Sequence, residues 1–371
     1  NGKKVFYDGG WNDGYQVYKL AIKASDVLKE GTNFIAVSLV QGFGGFEFDG
    51  DLYATKEDTS AYTIKFYDIA TADELVAYAN YVNSLDGNAT VGTTAVLSAD
   101  IDMAGKDWTP IKRFIGTFDG QGHTISGLNV SATSGLGAMC SIQIGAALMN
   151  VTVSGDITYS AAPSQASRVG LVGYLHGTMY NVINKTNITA TTTNQGVYLG
   201  GLAGQVSRGK MISCRNEGKV TIGTTKGVSY AGGMVGVIYP EDGLVQDCVN
   251  AGTVTSNATS TGALGGVVGL QQGGETVGCV NEGEIVASSM RSSGSVGGVI
   301  GVAYNCSDKV VKVHKCENDG KLTINAKGFR GVGGVVGGID DASYYAKQTT
   351  PSATEISECK NESAISVVAQ K

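Results

Sequence analysis

Two glycines separated by two small or apolar residues recur as a block along the C-terminal two-thirds of the chain. The first glycines of the blocks are spaced 31, 32, 33, 32 and 36 residues apart. They are Gly170, Gly201, Gly233, Gly266, Gly298 and Gly334. A period near 32 residues is typical of solenoids, in which one repeat cannot bury its own apolar face and stacked repeats share a continuous core.

A second block, Cys-x-Asn followed by Gly two residues later, lies between successive glycine blocks. Its asparagines are Asn184, Asn216, Asn250, Asn281, Asn318 and Asn361, and its cysteines are Cys214, Cys248, Cys279, Cys316 and Cys359. We expect the asparagines to form a ladder at one corner of the solenoid. Asn tolerates left-handed backbone angles, and its amide can bond to the copies above and below.

Apolar residues hold fixed positions around the second block. Three residues before the Cys position come Met179, Met211, Val245, Thr276, Val313 and Ile356, and six after it come Ile188, Val220, Val254, Ile285, Leu322 and Ile365. The segments are short, alternate with period two and break at Gly or Asn, which favours strands over helices. We therefore predict an all-β chain, a right-handed parallel β-helix with about three short strands per repeat. A propeller is disfavoured because its blades usually run to ~40 residues or more.

This pattern resembles the GLUG-motif family of bacterial surface proteins, named for its Gly-Leu-small-Gly signature. The resemblance runs from about residue 67 to the end and includes an entry segment with Thr71–Leu75, Trp108–Ile111 and Phe114–Ile125. It implies a β-helix that begins with a cap, over residues 61–131, and continues as repeats over 132–371. It implies little about activity, because such repeats occur in adhesins, secreted peptidases and glycan-handling proteins.

Residues 1–60 do not belong to the repeat and resemble the later half of a galactose-binding-like jelly roll. The resemblance rests on a Leu-Lys-x-Gly-x-Asn stretch at 28–33 and a Gly-Gly-x-x-Phe-Asp variant near 44–49. This small β-sandwich-like fragment is either part of a truncated module or a cap on the β-helix. Aromatic and amide side chains on its apparent loops are candidates for sugar binding, with core or cap packing as the alternative. They are Trp11, Asn12, Tyr15, Gln41 and Phe43.

The cysteines, histidines and paired carboxylates are expected to serve the fold rather than catalysis. The cysteine column reads as buried reduced thiols, although disulfides between neighbouring turns are compatible with a spacing of ~4.8 Å. No Cys-x-x-Cys is present and His123, His176 and His314 are scattered, so the sequence predicts no metal site and no hydrolytic triad. Asp100 and Asp102 lie two residues apart on a predicted strand of the cap and are expected to serve the cap, whereas Asp340 and Asp341 are expected in a solvated loop. No other cofactor is predicted.

Composition narrows the class of function. Net charge is -6 with acidic and basic residues interspersed, which argues against nucleic acid as a partner. No apolar stretch approaches the ~20 residues that span a bilayer. The chain opens without Met, which predicts a mature or truncated chain from which a leader has been removed.

Three hypotheses follow. The leading one is a non-enzymatic β-helix, secreted or displayed on the bacterial cell surface, that adheres to glycans or to host or cell-surface proteins. Its contacts are expected in the variable loops, such as those at 161–165, 224–227, 239–242 and 341–345. The second is a polysaccharide lyase or glycoside hydrolase, which requires acidic and basic side chains that converge on one face. The third is a stalk that holds up an upstream module.

Overall fold

A computed structural model describes residues 66–85, 93–132, 137–305, 309–341 and 353–368. These residues form a parallel β-helix, as the repeat predicts. The N-terminal fragment, and with it Trp11, Asn12, Tyr15, Gln41 and Phe43, lies outside the described residues.

Each full turn contributes five strands rather than the predicted three, and each strand pairs in parallel with its copy in the next turn. We number the sheets by their order within a turn. Sheet 1 consists of Ser167–Val169, Val197–Gly200, Ser229–Gly232, Thr261–Gly265, Ser295–Gly297 and Gly331–Gly333. Sheet 2 consists of Ile111–Phe114, Cys140–Ile142, Val172–Leu175, Ala203–Val206, Val235–Ile238, Val268–Gln271, Ile300–Asn305 and Val336–Asp341.

The other three sheets complete the turn. Sheet 3 consists of Phe66–Ile69, Thr93–Leu97, Gly116–Asp119, Ala147–Met149, Thr178–Tyr180, Lys210–Ile212, Leu244–Gln246, Gly274–Val277, Val311–His314 and Thr354–Ser357. Sheet 4 consists of Ile101–Asp102, Thr124–Ser126, Thr152–Val153, Ile183–Asn184, Arg215–Asn216, Val249–Asn250, Val280–Asn281, Glu317–Asn318 and Lys360–Asn361. Sheet 5 consists of Val130–Ala132, Asp156–Ala161, Asn187–Thr192, Val220–Ile222, Val254–Ser256, Ile285–Ala287, Leu322–Ile324 and Ile365–Val367.

One element among the described residues is not a strand. Helix α1, Ala72–Ser84, begins at a capping box in which the Thr71 hydroxyl accepts from the Glu74 N–H and the Glu74 carboxylate accepts from the Thr71 N–H. Its apolar face, with Leu75 and Val82, is buried in the core. The Asn83 amide bonds to both the carbonyl of Pro110 and the N–H of Lys112, which ties the end of the helix to the adjacent turn. The helix was not predicted, because its pattern occurs once and the repeat argument does not reach it.

The core columns are continuous. Met179, Met211, Val245, Thr276 and Val313 are all fully buried in sheet 3, whereas their copy in the last turn, Ile356, is 41% exposed. The sheet 5 column is buried in the same way from Ile188 to Leu322, and its copy in the last turn, Ile365, is 43% exposed. A side chain in this solenoid is therefore buried by the turns on both sides of it, which is the physical meaning of a stacked repeat.

The sequence predicts a left-handed corner at the asparagines themselves. The structure instead has this corner three residues before each asparagine. Each asparagine of the ladder lies in a two-residue strand of sheet 4. The residue before the Cys position has a φ between 49° and 63° and joins sheet 3 to sheet 4. These residues are Asn181, Ser213, Asp247, Gly278, Lys315 and Glu358. The strand position leaves the asparagine side chains free to point inward and bond along the axis.

Candidate functional site

The asparagine column is a buried hydrogen-bonded ladder. Each side-chain N–H2 donates to the Oδ1 of the asparagine in the next turn at 2.7–2.8 Å, from Asn184 through to Asn361. Each amide also donates to a backbone carbonyl two residues later, at 3.5 Å in Asn184 and at 2.9–3.0 Å from Asn216 on. At the first rung, the hydroxyl and N–H of Thr186 donate to Asn184 Oδ1, which has no asparagine before it. The column therefore satisfies its own polar groups and offers nothing to a ligand.

The glycine blocks belong to the same structural feature. A Cβ placed on Gly233 would lie 2.2 Å from the side-chain carbon Cγ of Asn250, and one on Gly266 would lie 2.2 Å from Cγ of Asn281. The first glycine of a block thus makes room for the asparagine amide of its own turn. These two most regular sequence features form one packing unit inside the solenoid.

The cysteine column is also internal. Cys214, Cys248, Cys279 and Cys316 are buried, Cys359 is partly buried, and all five are free thiols. Each sulfur donates to backbone carbonyls, as Cys248 does to Met211 at 3.6 Å and to Gln246 at 3.1 Å. Burial, with a contribution from neighbouring thiols, raises the pKa of Cys248 well above its usual range. A buried thiol with a raised pKa, as at Cys248, is a poor nucleophile and a poor metal ligand.

The carboxylates singled out in the sequence serve the fold. Asp100 accepts a hydrogen bond from the Thr124 N–H at 2.9 Å and contacts Nδ1 of His123 at 3.1 Å, and Asp102 accepts from the Ala104 N–H. The backbone N–H of Thr124 is the main cause that holds the pKa of Asp100 below its ordinary value. Both carboxylates are therefore committed to the turns of the first rungs.

The second carboxylate pair was placed wrongly in a loop. Asp340 and Asp341 end a strand of sheet 2, Val336–Asp341, because this segment continues the pairing with Ile300–Asn305. Asp340 forms an ion pair with Arg330. It is therefore already neutralised by a partner from the same turn.

One Ser–His contact lies on the outer face of sheet 3. Nδ1 of His314 lies 2.6 Å from Oγ of Ser357 in the next turn. Among the described residues no carboxylate is bonded to His314, so the third member that orients the base in a hydrolytic triad is missing there. The contact joins two neighbouring strands.

An exposed acidic cluster lies on and beside sheet 4. Glu317, Asp319 and Glu362 have carboxylate oxygens within 4.8 Å of one another. Lys360 pairs with both Glu317 and Glu362. Desolvation and the neighbouring carboxylates raise the pKa of Asp319 above its ordinary value. The lysine already supplies the positive charge that the cluster requires.

Five tyrosines gather on the outside of the solenoid, where the outward faces of sheets 1 and 2 meet. We call this surface the tyrosine strip. Its members are Tyr174, Tyr198, Tyr230, Tyr239 and Tyr304, and all are half-buried. Four of them pack on an apolar floor that is separate from the main core, formed by Val237, Ala263, Leu270 and Val302.

The register of the two sheets explains the strip. Arg168, Tyr198, Tyr230 and Ala263 occupy one outward position of sheet 1 in successive turns. In sheet 2 the facing position runs from Tyr174 through Gln205, Val237 and Leu270 to Val302. Stacked turns therefore convert scattered tyrosines into one surface that runs along the axis.

The rings lie in contact with one another. The ring centroids of Tyr198 and Tyr230 are 5.8 Å apart with the planes inclined at 45°. Burial is the main cause that raises the pKa of Tyr198 to about 12, and burial also raises the pKa of Tyr230. The tyrosines therefore remain neutral hydroxyl groups at physiological pH, able to donate and accept hydrogen bonds.

Arg168 lies at the N-terminal end of the strip. Its guanidinium carbon lies 5.1 Å from the ring centroid of Tyr174 and 5.2 Å from that of Tyr198, within cation–π range of both. Its Nε donates to Oε1 of Gln205 at 3.0 Å, and its Nη1 donates to the carbonyl of Ala166 at 2.5 Å. The guanidinium is thus held in one place.

His176 follows the sheet 2 strand Val172–Leu175 directly, and its ring centroid lies 6.0 Å from that of Tyr174. It lies in the bend between this strand and Thr178–Tyr180, beside the tyrosine strip. Partial burial lowers its pKa below the ordinary value, with a weaker opposing effect from Glu241.

Sequence reasoning found one strip residue and missed the others. Tyr239 lies in a loop at 239–242 that was predicted to carry partner contacts. The signal for Tyr198 and Tyr230 was available, because both lie three residues before the first glycine of their blocks. It was missed because only two turns carry tyrosine there.

No helix of the described part is long and apolar enough to cross a membrane. Neither a protein-family model nor a curated relative matches the sequence. The crystal structure of a putative immunoglobulin A1 protease from Bacteroides ovatus is similar, with a TM-score of 0.55 at 22% identity, over 75% of this chain and 86% of that chain. At this level of identity the similarity concerns the fold, and this chain shares its β-helical architecture with that protein.

Proposed function

We propose that this chain is a secreted or cell-surface β-helix protein, related to the GLUG-motif family, that holds an extended glycan against the tyrosine strip and performs no chemistry on it. One observation carries the proposal: half-buried tyrosines from successive turns form a single aromatic surface along the solenoid axis. Flat aromatic rings stack on sugar rings, and phenolic hydroxyls exchange hydrogen bonds with sugar hydroxyls.

A glycan suits this surface better than an extended peptide. The strands of sheets 1 and 2 pair along the axis with the turns above and below, so their backbone N–H and C=O groups are used within the sheets. A peptide cannot add itself there as a further strand, which is the usual source of affinity for extended peptides. Recognition on this face has to come from side chains, and tyrosine loses little conformational entropy on binding.

Two alternatives stay open as outcomes of the experiment. A lyase or glycosidase requires carboxylates that converge with basic groups, whereas Asp100, Asp102 and Asp340 each serve a turn or an ion pair. A stalk for an upstream module requires no ligand at all. The sequence likeness to a jelly-roll module keeps a second glycan site at Trp11 as a further candidate.

The test is binding of the intact chain to a glycan array, followed by titration of the best glycan. We expect Tyr198→Ala and Tyr230→Ala each to weaken binding about five- to twelvefold, which corresponds to a lost aromatic stacking contact of about 1–1.5 kcal/mol. Tyr180→Ala, which removes a half-buried tyrosine from the outer face of sheet 3, is the matched control and should change nothing.

Three results would contradict the proposal. Binding that is abolished by Trp11→Ala and unaffected by the strip variants would place the site in the N-terminal fragment. New unsaturated or shortened products from a polysaccharide would establish an enzyme. An array without any bound glycan would favour the stalk.

A further inference from the structure

Arg168 differs in its partners from three other arginines of the solenoid surface. Arg208 pairs with Glu241, Arg215 pairs with Glu217 and Glu282, and Arg330 pairs with Asp340. Among the described residues, no carboxylate forms an ion pair with Arg168. Arg113 and Arg291 also form no ion pair within the described part of the chain, but both are exposed. The contacts of Arg168 within that part are two tyrosine rings, a side-chain amide and a backbone carbonyl.

The guanidinium is held ready for a ligand. Gln205, 5% exposed, accepts from Arg168 and donates through Nε2 to Oγ of Ser207 at 2.9 Å, so a buried chain of hydrogen bonds fixes the Arg168 side chain. Two of the five guanidinium N–H donors are used in these contacts and the others remain for a ligand. A fixed, half-buried fork of this kind matches a carboxylate or sulfate and loses little entropy on binding it.

Resting on the proposed function, we propose that the ligand of the tyrosine strip is an acidic glycan, a polymer that carries carboxylate or sulfate groups, and that Arg168 binds its anionic group. The stacked tyrosines hold the sugar rings while the arginine selects the charge. Gln205 and Ser207 are positioning residues, because they fix Arg168 and are themselves buried.

The position of Arg168 supports a division of roles along the strip. The anion site lies at one end, beside Tyr174 and Tyr198, and the apolar floor with Tyr230, Tyr239 and Tyr304 extends from it toward the C-terminal turns. A chain with one acidic sugar in register with Arg168 can continue along the rings. The net charge of -6 disfavours a general attraction of polyanions, so recognition has to be local.

The experiment uses an array that carries each acidic glycan beside its neutral counterpart, either the carboxyl-reduced or the desulfated form of the same chain. We expect the intact protein to bind an acidic form about tenfold or more above its neutral counterpart, as a charge-assisted hydrogen bond implies. Arg168→Gln should bring the ratio of acidic to neutral binding down to about one, so the readout is this ratio and not the absolute affinity for the neutral form. Arg215→Gln, on sheet 4, is the control and should keep the preference.

Arg168→Lys and a salt titration test the same preference independently, in case Arg168→Gln does not fold. Lys keeps the charge but loses the planar fork and its stacking, so an intermediate preference is expected. The preference should fall as NaCl is raised, because the site is partly exposed. Separate carboxyl-reduced and desulfated pairs decide whether a uronate or a sulfate is recognised.

The outcomes separate the two proposals. Equal binding of acidic and neutral counterparts would overturn the role of Arg168 and leave the glycan-binding function in place. A preference that survives Arg168→Gln in a folded variant would also overturn it, because another group would then bind the anion. Absence of binding to every glycan would overturn both.

Discussion

The asparagine ladder predicts a large and localised loss of stability when one of its inner members is removed. Asn250 is fully buried, accepts from Asn216 at 2.8 Å, and donates to Gly252 at 2.9 Å and to Asn281 at 2.8 Å. In Asn250→Ala the three partners lose a bond in a place that water does not reach. Each buried group left without its partner costs about 1–3 kcal/mol, so for three groups we expect a loss of roughly 3–9 kcal/mol.

The last member of the ladder is the matched control. Asn361 accepts from Asn318 at 2.7 Å and donates to the carbonyl of Ser363, but it lies in the open final turn. Water can replace its bonds, so Asn361→Ala should cost about 1 kcal/mol or less. A contrast between the two substitutions therefore measures burial rather than the amide itself.

The measurement has to be local because solenoids need not unfold in one step. Urea denaturation followed by circular dichroism gives the overall change. Hydrogen exchange read by mass spectrometry on peptides around residues 244–256 gives the change in the affected turn, with peptides from helix α1 as reference. If Asn250→Ala and Asn361→Ala lower stability equally, or if protection around 244–256 is unchanged, the ladder does not stabilise the fold as argued.

Three further outcomes follow from the same geometry. Gly233→Ala should destabilise by about 3 kcal/mol or prevent folding, because the new Cβ would lie 2.3 Å from a backbone oxygen. Gly243→Ala should be mild, because its Cβ would meet two side-chain methyl groups at 3.1 Å and the nearest backbone atom, a carbonyl oxygen, lies at 3.9 Å. Equal urea midpoints for the two variants would contradict this. Alkylation of the native protein should modify Cys359 well before Cys248, since Cys248 is buried and burial raises its pKa. Peptide mass spectrometry measures the order, and modification of Cys248 first would contradict the prediction. His176 binds a proton more weakly when folded than when unfolded, so stability should fall as pH drops through its unfolded pKa of about 6.5, toward the lower folded value. His176→Gln should lose that part of the pH dependence of the urea midpoint, and an identical pH profile would refute it.

The architecture could be predicted because it repeats. Five or six copies of the same spacing identify the stacked columns, and the buried residues at Met211 and Val220 follow from their offsets to Cys214. The number of strands could not be predicted in the same way. The glycine block around Gly201–Gly204 folds into a tight turn between two sheets, so a segment that reads as one strand becomes two.

Helix α1 shows the opposite limit. Its capping box, Thr71 with Glu74, is legible in the sequence, but it occurs once and lies among segments that read as strands. A capping box that occurs once is weak evidence for a helix, whereas a spacing found in every turn is strong evidence for a strand. The same holds for the corner, where Ser213, Asp247 and Lys315 share a left-handed backbone without sharing a chemical type.

The tyrosine strip could not be predicted from the sequence for a related physical reason. Its tyrosines come from two columns and a loop, and no column carries tyrosine in every turn. Where a side chain is repeated in all turns, as at Asn216 and Asn250, its partners are its own copies and its hydrogen bonds are closed within the column. Where the repeat is broken, different residue types meet in neighbouring turns, as Arg168 and Tyr198 do. Some of their hydrogen-bond donors and acceptors, such as three N–H groups of Arg168, are then not used within the column. In a stacked solenoid regularity thus stabilises the fold, and capacity to bind a ligand is concentrated where the register brings unlike residues together.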